Sequence, residues 1–186
     1  PSRVWRDVGV GLSPKDIQLY RHKVESVGLK IVGLHSLFFD QPNLGLFAEG
    51  EFRQRTLSYL VHLSKVCRDL GGKTLTYGGG RWRGKIAKKE AFNLAIEFLG
   101  EIIQKVKDHG TVFCFEPLGS EHSDFINSVY ESIDLVKTVN HRSLQVQLDA
   151  KSLVACNELK PDVFQAAKPF LVHVHVNEPD LGVLDR

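Results

Sequence analysis

The chain has 186 residues, 42% of them hydrophobic and 25% charged, with a formal net charge of +2. That length allows one sizeable core and is short for two. So small a charge gives no basis for nucleic acid or an anionic membrane as an obligate partner, and no run approaches the roughly 18 apolar residues of a membrane span.

Helix and strand signals alternate along the chain. Ser13-Pro14-Lys15-Asp16 offers an N-cap, a proline at the first helical position and an acid at the third, and predicts a helix to about Val27 that Gly28 ends. Leu29–His35 (LKIVGLH) reads as a short strand. Phe52–Leu70 carries Leu57, Leu60, Val61, Ser64, Cys67 and Leu70 at helical spacing, and Gly71-Gly72 stops it. Lys73–Tyr77 is a predicted strand and Gly78–Gly84 a loop rich in glycine and arginine. Lys88–His109 is helical through Ala91, Leu94, Ala95, Phe98, Ile102 and Val106, with Gly110 as its stop. Thr111–Glu116 predicts a strand, Asp124–Val139 a helix ended by Asn140, and Leu144–Asp149 a strand. Pro161 starts a short helix, and Leu171–Val176 is the last strand.

This alternation argues a parallel sheet covered by helices, and no Pro/Ser linker divides the chain, so residues 1–186 read as one domain. Strand parity selects the kind of sheet. Gln145 and Gln147 share the face of Asp149, against Leu144, Val146 and Leu148; His173 and His175 share a face against Val172, Val174 and Val176. An open sheet buried on both sides is apolar on both, whereas a barrel tolerates polar residues on its inner wall. The expected fold is therefore an α/β, (β/α)8 TIM barrel. Eight such units take about 250 residues, so the first strand and the last ones are expected to lie outside this sequence. The absence of methionine, a start at Pro1 and a stop at Arg186 fit a piece of a longer protein. No secretory leader opens the chain, and a cytoplasmic protein is expected. Cys67, Cys114 and Cys156 are odd in number and widely separated, as free thiols of a reducing compartment would be.

Parallel strands alternating with helices bring their C-terminal ends to one face, where loops build active sites. Three strand ends here carry metal-competent side chains: Glu116, Asp149 and His175. Alone, Glu116 is equally a first solvated loop residue, Asp149 a helix N-cap, and His173-x-His175 a pair of core histidines. Together they make a mixed oxygen and nitrogen site for a hard-to-borderline divalent cation.

Gly28–His35 (GLKIVGLH), Leu70-Gly-Gly-Lys73 with its strand, Phe115-Glu-Pro-Leu118, Asn140-His141, Gln147-Leu-Asp149 and Val172-His-Val-His175 resemble, in order and spacing, the xylose-isomerase-like TIM-barrel superfamily. Within it the likeness is to the sugar phosphate isomerase/epimerase group. The resemblance implies one divalent metal ion (Mn, Mg, Co or Zn) on Glu116, Asp149 and His175, with a fourth ligand, a glutamate, beyond Arg186. It implies a sugar or sugar phosphate as partner and proton transfer through an enediolate, with Glu116 as one acid/base and the missing glutamate as the other. Assembly as a homo-oligomer stays open.

Departures limit the carry-over. Ketose 3-epimerases place a histidine three residues after the strand aspartate, where this chain has Ser152, and an arginine after the H-x-H strand, where it has Asn177-Glu178-Pro179-Asp180-Leu181. Substrate contacts expected here are His35, at an earlier strand end, and Arg83, in the glycine-rich loop. The rival readings are a dehydratase or lyase of the inosose or dehydroshikimate kind on the same metal frame, an endonuclease IV-like phosphodiesterase, and a metal-free sugar-binding barrel. The phosphodiesterase would need a further histidine where Tyr77-Gly78-Gly79 stands, and a basic groove.

Overall fold

The computed structural model describes residues 12–178 and 180–183; Pro179, quoted above, lies outside the described residues. In chain order the elements are α1 (Pro14–Glu25), β1 (Gly33–Leu34), α2 (Gly50–Asp69), β2 (Thr74–Tyr77), α3 (Lys88–Val106), β3 (Val112–Phe115), α4 (Val129–Val139), β4 (Leu144–Asp149), α5 (Ala150–Ala155), α6 (Pro161–Ala167) and β5 (Leu171–His175). The strands pair in parallel in the order β1-β2-β3-β4-β5.

The sheet is curled. In a flat sheet, strands four places apart lie about 19 Å from each other, at ~4.8 Å per neighbour. Yet His35, just after β1, meets His175 at the end of β5 edge-on, with ring centroids 4.9 Å apart. Thr76 on β2 likewise donates from Oγ1 to Gln147 Oε1 on β4 at 2.7 Å. The five strands are thus a half-barrel, part of a (β/α)8 architecture.

Parity sorts the two walls as the alternation requires. Leu75, Phe113, Phe115, Leu144, Val146 and Leu148 point outward and are buried beneath the helices, against Leu60, Leu63, Phe98, Ile102 and Ile133. Each such Leu, Ile or Phe side chain contributes roughly 1.5–3 kcal/mol by leaving water. Thr74, Thr76, Gln147, His173 and His175 take the inner wall, where they bond one another. Beyond β5 no helix covers the outer face among the described residues, and Val172 and Val174 are exposed.

Several expected boundaries move, each for a local reason. The capping box on α1 forms, with Asp16 N donating to Ser13 Oγ at 3.2 Å and Ser13 N to Asp16 Oδ2 at 3.1 Å. The strand expected over 29–35 shrinks to Gly33–Leu34, the only residues with register partners on β2. The helix expected from Asp124 starts instead at Val129, because the segment before it has other partners. The Asp124 carboxylate accepts from Arg83 N (2.7 Å) and Gly84 N (3.0 Å), and Asn127 Nδ2 donates to the Ser123 and Leu118 carbonyls. Ser128 then caps α4 by accepting from Glu131 N at 3.1 Å. Helix α5 starts directly at the end of β4, as the N-cap reading of Asp149 requires. The three cysteines are free, and no helix among the described residues is long and apolar enough to cross a membrane.

Candidate metal centre

Glu116 follows β3, Asp149 ends β4 and His175 ends β5, so three adjacent strands deliver them to one rim of the half-barrel. Asp149 and His175 are direct register partners. One ligand atom from each of the three lies within 4.8 Å of the other two. His175 Nδ1 is 3.4 Å from Asp149 Oδ2 and 3.9 Å from Glu116 Oε1. The carboxylates are almost closed to solvent, at 5% exposure for Glu116 and 7% for Asp149.

Burial, and after it the charge of Asp149, push the Glu116 carboxyl up to about 7, against the opposing pull of Arg81 and a Gln147 hydrogen bond. Two carboxylates and an imidazole facing one small volume are the donor set a divalent cation takes, and its charge offsets the repulsion that raises Glu116. By donor chemistry and by electrostatics, the residues fit such an ion.

Asp149 does two jobs at once. Its Oδ1 accepts from Ser152 N at 3.1 Å, capping α5, while Oδ2 faces His175. The N-cap and the ligand readings of this residue are therefore compatible, one oxygen each. Gly78, just after β2, leaves the room Glu116 occupies: a Cβ built there would sit 2.5 Å from Glu116 Oε2.

The structure brings His35 to this site and leaves Arg83 in its loop. His35 packs on His175, and partial burial followed by the neighbouring His175 holds its ring below the usual imidazole range. Its Nδ1 lies 2.8 Å from Ser36 Oγ. Arg83 donates from Nη1 to the Ile86 carbonyl (2.6 Å) and from Nε to the Asp124 carbonyl (3.0 Å), which orders the loop after β2. His173 sits one step below His175 on the inner wall, rings 5.0 Å apart, with Thr74 Oγ1 3.4 Å from its Nδ1.

Three residues beside the site were not singled out by sequence as part of it. Gln147, fully buried, lies 2.8 Å by Nε2 from His175 Nδ1. Asn177 donates from Nδ2 to Asp149 Oδ2 at 2.9 Å. Arg81 is buried with its guanidinium 4.8 Å above the Phe115 ring, and burial lowers its pKa to about 10. The signal for Gln147 was present, a polar residue in the middle of a buried strand; Arg81 and Asn177 have no comparable pattern.

A family model described as the xylose isomerase-like TIM barrel matches residues 3–185. A D-psicose 3-epimerase of Ruminiclostridium cellulolyticum is 27% identical over 109 residues, which are 59% of this chain and 37% of that protein. Among solved structures, a D-psicose 3-epimerase with D-tagatose from Clostridium cellulolyticum superposes with a TM-score of 0.79 at 20% identity, over 94% of this chain and 62% of that one. A 3-keto-D-glucoside 4-epimerase from E. coli gives 0.75 at 15% identity, over 90% and 66%. An L-ribulose 3-epimerase gives 0.74 at 18%, over 97% and 65%. At these identities the structural likeness speaks for the fold, and the chain spans less than two thirds of each relative's length.

Proposed function

The chain belongs to the xylose isomerase-like TIM-barrel family, and from that premise we propose that it is a divalent-metal-dependent sugar or sugar phosphate isomerase/epimerase. The observation that carries this reading is the convergence of Glu116, Asp149 and His175 within 4.8 Å at three successive strand ends. Metal-dependent epimerases fit it better than metal-free binding, because two nearly closed carboxylates side by side are costly without a cation between them. The relatives described as psicose, ribulose and ketoglucoside epimerases support the same substrate class.

Glu116, Asp149 and His175 would hold the ion. Once bound, a divalent cation supplies Lewis acidity to adjacent carbonyl and hydroxyl oxygens of a sugar. The chain's own residues do the rest. Glu116 takes the proton from the carbon beside the carbonyl, and the electron pair left behind moves into an enediolate. Return of a proton to the other face inverts the centre, and return to the neighbouring carbon isomerises the sugar. A second acid/base is needed for inversion, and the family resemblance puts it beyond Arg186. Asp149 keeps its position because Oδ1 is spent on the α5 cap. His35, against His175, is the proposed contact to a substrate hydroxyl, and Arg83 the proposed contact from the loop after β2.

A panel of ketoses and their phosphates incubated in deuterated water with Mn2+ tests this. Deuterium enters the carbon that loses its proton, and Glu116→Gln abolishes the exchange. Loss of water from the substrate in place of exchange would move the protein to the dehydratase reading, and neither reaction on any member of the panel would overturn the proposal.

A further inference from the structure

A fourth polar group already stands among the three ligands. Gln147, fully buried on β4 two residues before Asp149, lies 2.8 Å by Nε2 from His175 Nδ1 and hydrogen-bonds the Glu116 carboxylate. His175 Nδ1 is also the nitrogen that faces both carboxylates, 3.4 Å from Asp149 Oδ2 and 3.9 Å from Glu116 Oε1. The amide head thus bonds two of the three ligands, one of them at the atom a cation would need.

A neutral imidazole nitrogen carries either a lone pair or a proton, never both. With Gln147 Nε2 beside Nδ1, an amide N–H takes up that lone pair. With the amide turned over and Oε1 there, Nδ1 must carry a proton to meet it. In neither orientation does Nδ1 have anything left for a cation. The Thr76 hydroxyl, 2.7 Å from the far end of the amide, can donate or accept and so serves both. Distance leads to the same result. A zinc–imidazole bond of about 2.0–2.1 Å is shorter than the contact the amide makes, so ion and amide cannot share the lone pair.

The bond has a use while no ion is bound. It gives a buried carboxylate and a half-buried imidazole a polar partner that they would otherwise lack. The amide also has somewhere to go. His173, on the same inner wall, is the register partner of Gln147 on β5, and its Nδ1 has a long 3.4 Å contact to Thr74 Oγ1. Gln147 reaches one step past this neighbour to meet His175.

Resting on the reading of Glu116, Asp149 and His175 as metal ligands, we infer that Gln147 is a displaceable place-holder, which closes the metal-free site by holding His175 Nδ1 and which an entering divalent cation turns out toward His173. The same bond then stabilises the metal-free protein and weakens its hold on metal. A side chain that only filled the wall would do the first without the second.

The test uses the full-length protein and readouts other than activity. In NMR spectra, Overhauser contacts from the Gln147 side-chain amide should run to the His175 ring in the metal-free protein. They should give way to contacts with His173 when zinc, a diamagnetic probe, is bound. A His175 contact that persists in the zinc-bound protein overturns the inference and leaves the metal site standing. Gln147→Asn, one methylene shorter, withdraws the amide from His175 while keeping its polarity. By calorimetry it should bind Mn2+ about 3- to 10-fold more tightly than wild type, the worth of one net hydrogen bond, and its metal-free form should melt at a lower temperature. Unchanged or weaker Mn2+ affinity in this variant overturns the inference. If Gln147→Asn does not fold, the wild-type spectra with and without zinc decide it. A wild type that takes up no divalent ion overturns this inference and the proposed function together.

Discussion

Gly78→Ala should separate the site from the fold. The added Cβ would stand 2.5 Å from Glu116 Oε2 and 3.6 Å from its Cδ, with no other atom within 4 Å, and Gly78 has no left-handed φ that a side chain would strain. An ordinary contact begins near 3.4 Å, so Oε2 must retreat by about 0.9 Å. The obstacle is the end of a flexible side chain, so the backbone need not move. Stability should therefore change by less than about 1 kcal/mol, and the gain of roughly 0.4–1 kcal/mol typical of a tolerated Gly→Ala change can even raise it. Metal geometry is far less forgiving, with ligand distances held to about 0.2 Å and sites to about 0.5 Å. Mn2+ affinity should fall at least about tenfold. Thermal denaturation read beside a Mn2+ titration gives both quantities on one sample. A folded variant with wild-type affinity would refute the reasoning, since Glu116 would then not be a ligand in the position described. A variant that fails to fold would refute the claim that only the side chain yields.

Glu116 also predicts a pH dependence of the metal-free protein. Its folded pKa of about 7 lies above the reference of 4.5, so the folded state holds the proton longer and stability falls as pH rises from about 4.5 to about 7. At about 1.36 kcal/mol per unit, the group costs up to roughly 3 kcal/mol above that window. Glu116→Gln should remove this falling limb in denaturant titrations across pH, and saturating Mn2+ should flatten it in the wild type. Asp149→Ala and Asp149→Ser should part company. Both lose the metal, but serine still caps α5 and should retain about 1 kcal/mol that alanine loses, as measured by chemical denaturation. Asp124→Ala, by freeing the Arg83 and Gly84 amides, should loosen the loop after β2 and speed hydrogen exchange there, leaving Mn2+ affinity within about twofold.

The polar half of the site and the sheet that carries it were legible because strand parity is strictly local. Alternation in Leu144–Asp149 is enough to separate an inner wall from an outer one, and the structure keeps Gln147 inward and Leu144, Val146 and Leu148 in the outer core across a register irregularity between Val146 and Gln147. What was not legible depends on partners far away in sequence. Gln147 was readable as an inward polar residue, but its partners Thr76 and His175 lie 71 and 28 residues away. The start of α4 was misplaced because Asp124 is held by amides 40 and 41 residues upstream, which compete with the helix for that segment. Gly78 looked like ordinary loop punctuation, and only the position of Glu116 shows what its missing side chain makes room for. Asp149 presented two readings that the sequence set against each other; a carboxylate has two oxygens, and here Oδ1 caps α5 while Oδ2 faces His175.

The metal content of the purified protein tests the Glu116, Asp149 and His175 site most directly. Elemental analysis after dialysis against Mn2+ should find one ion per chain in the wild type and almost none in Asp149→Ala and His175→Ala, with both variants folded. A wild type without stoichiometric metal, or variants that keep it, would contradict the assignment of Glu116, Asp149 and His175 as a single divalent site.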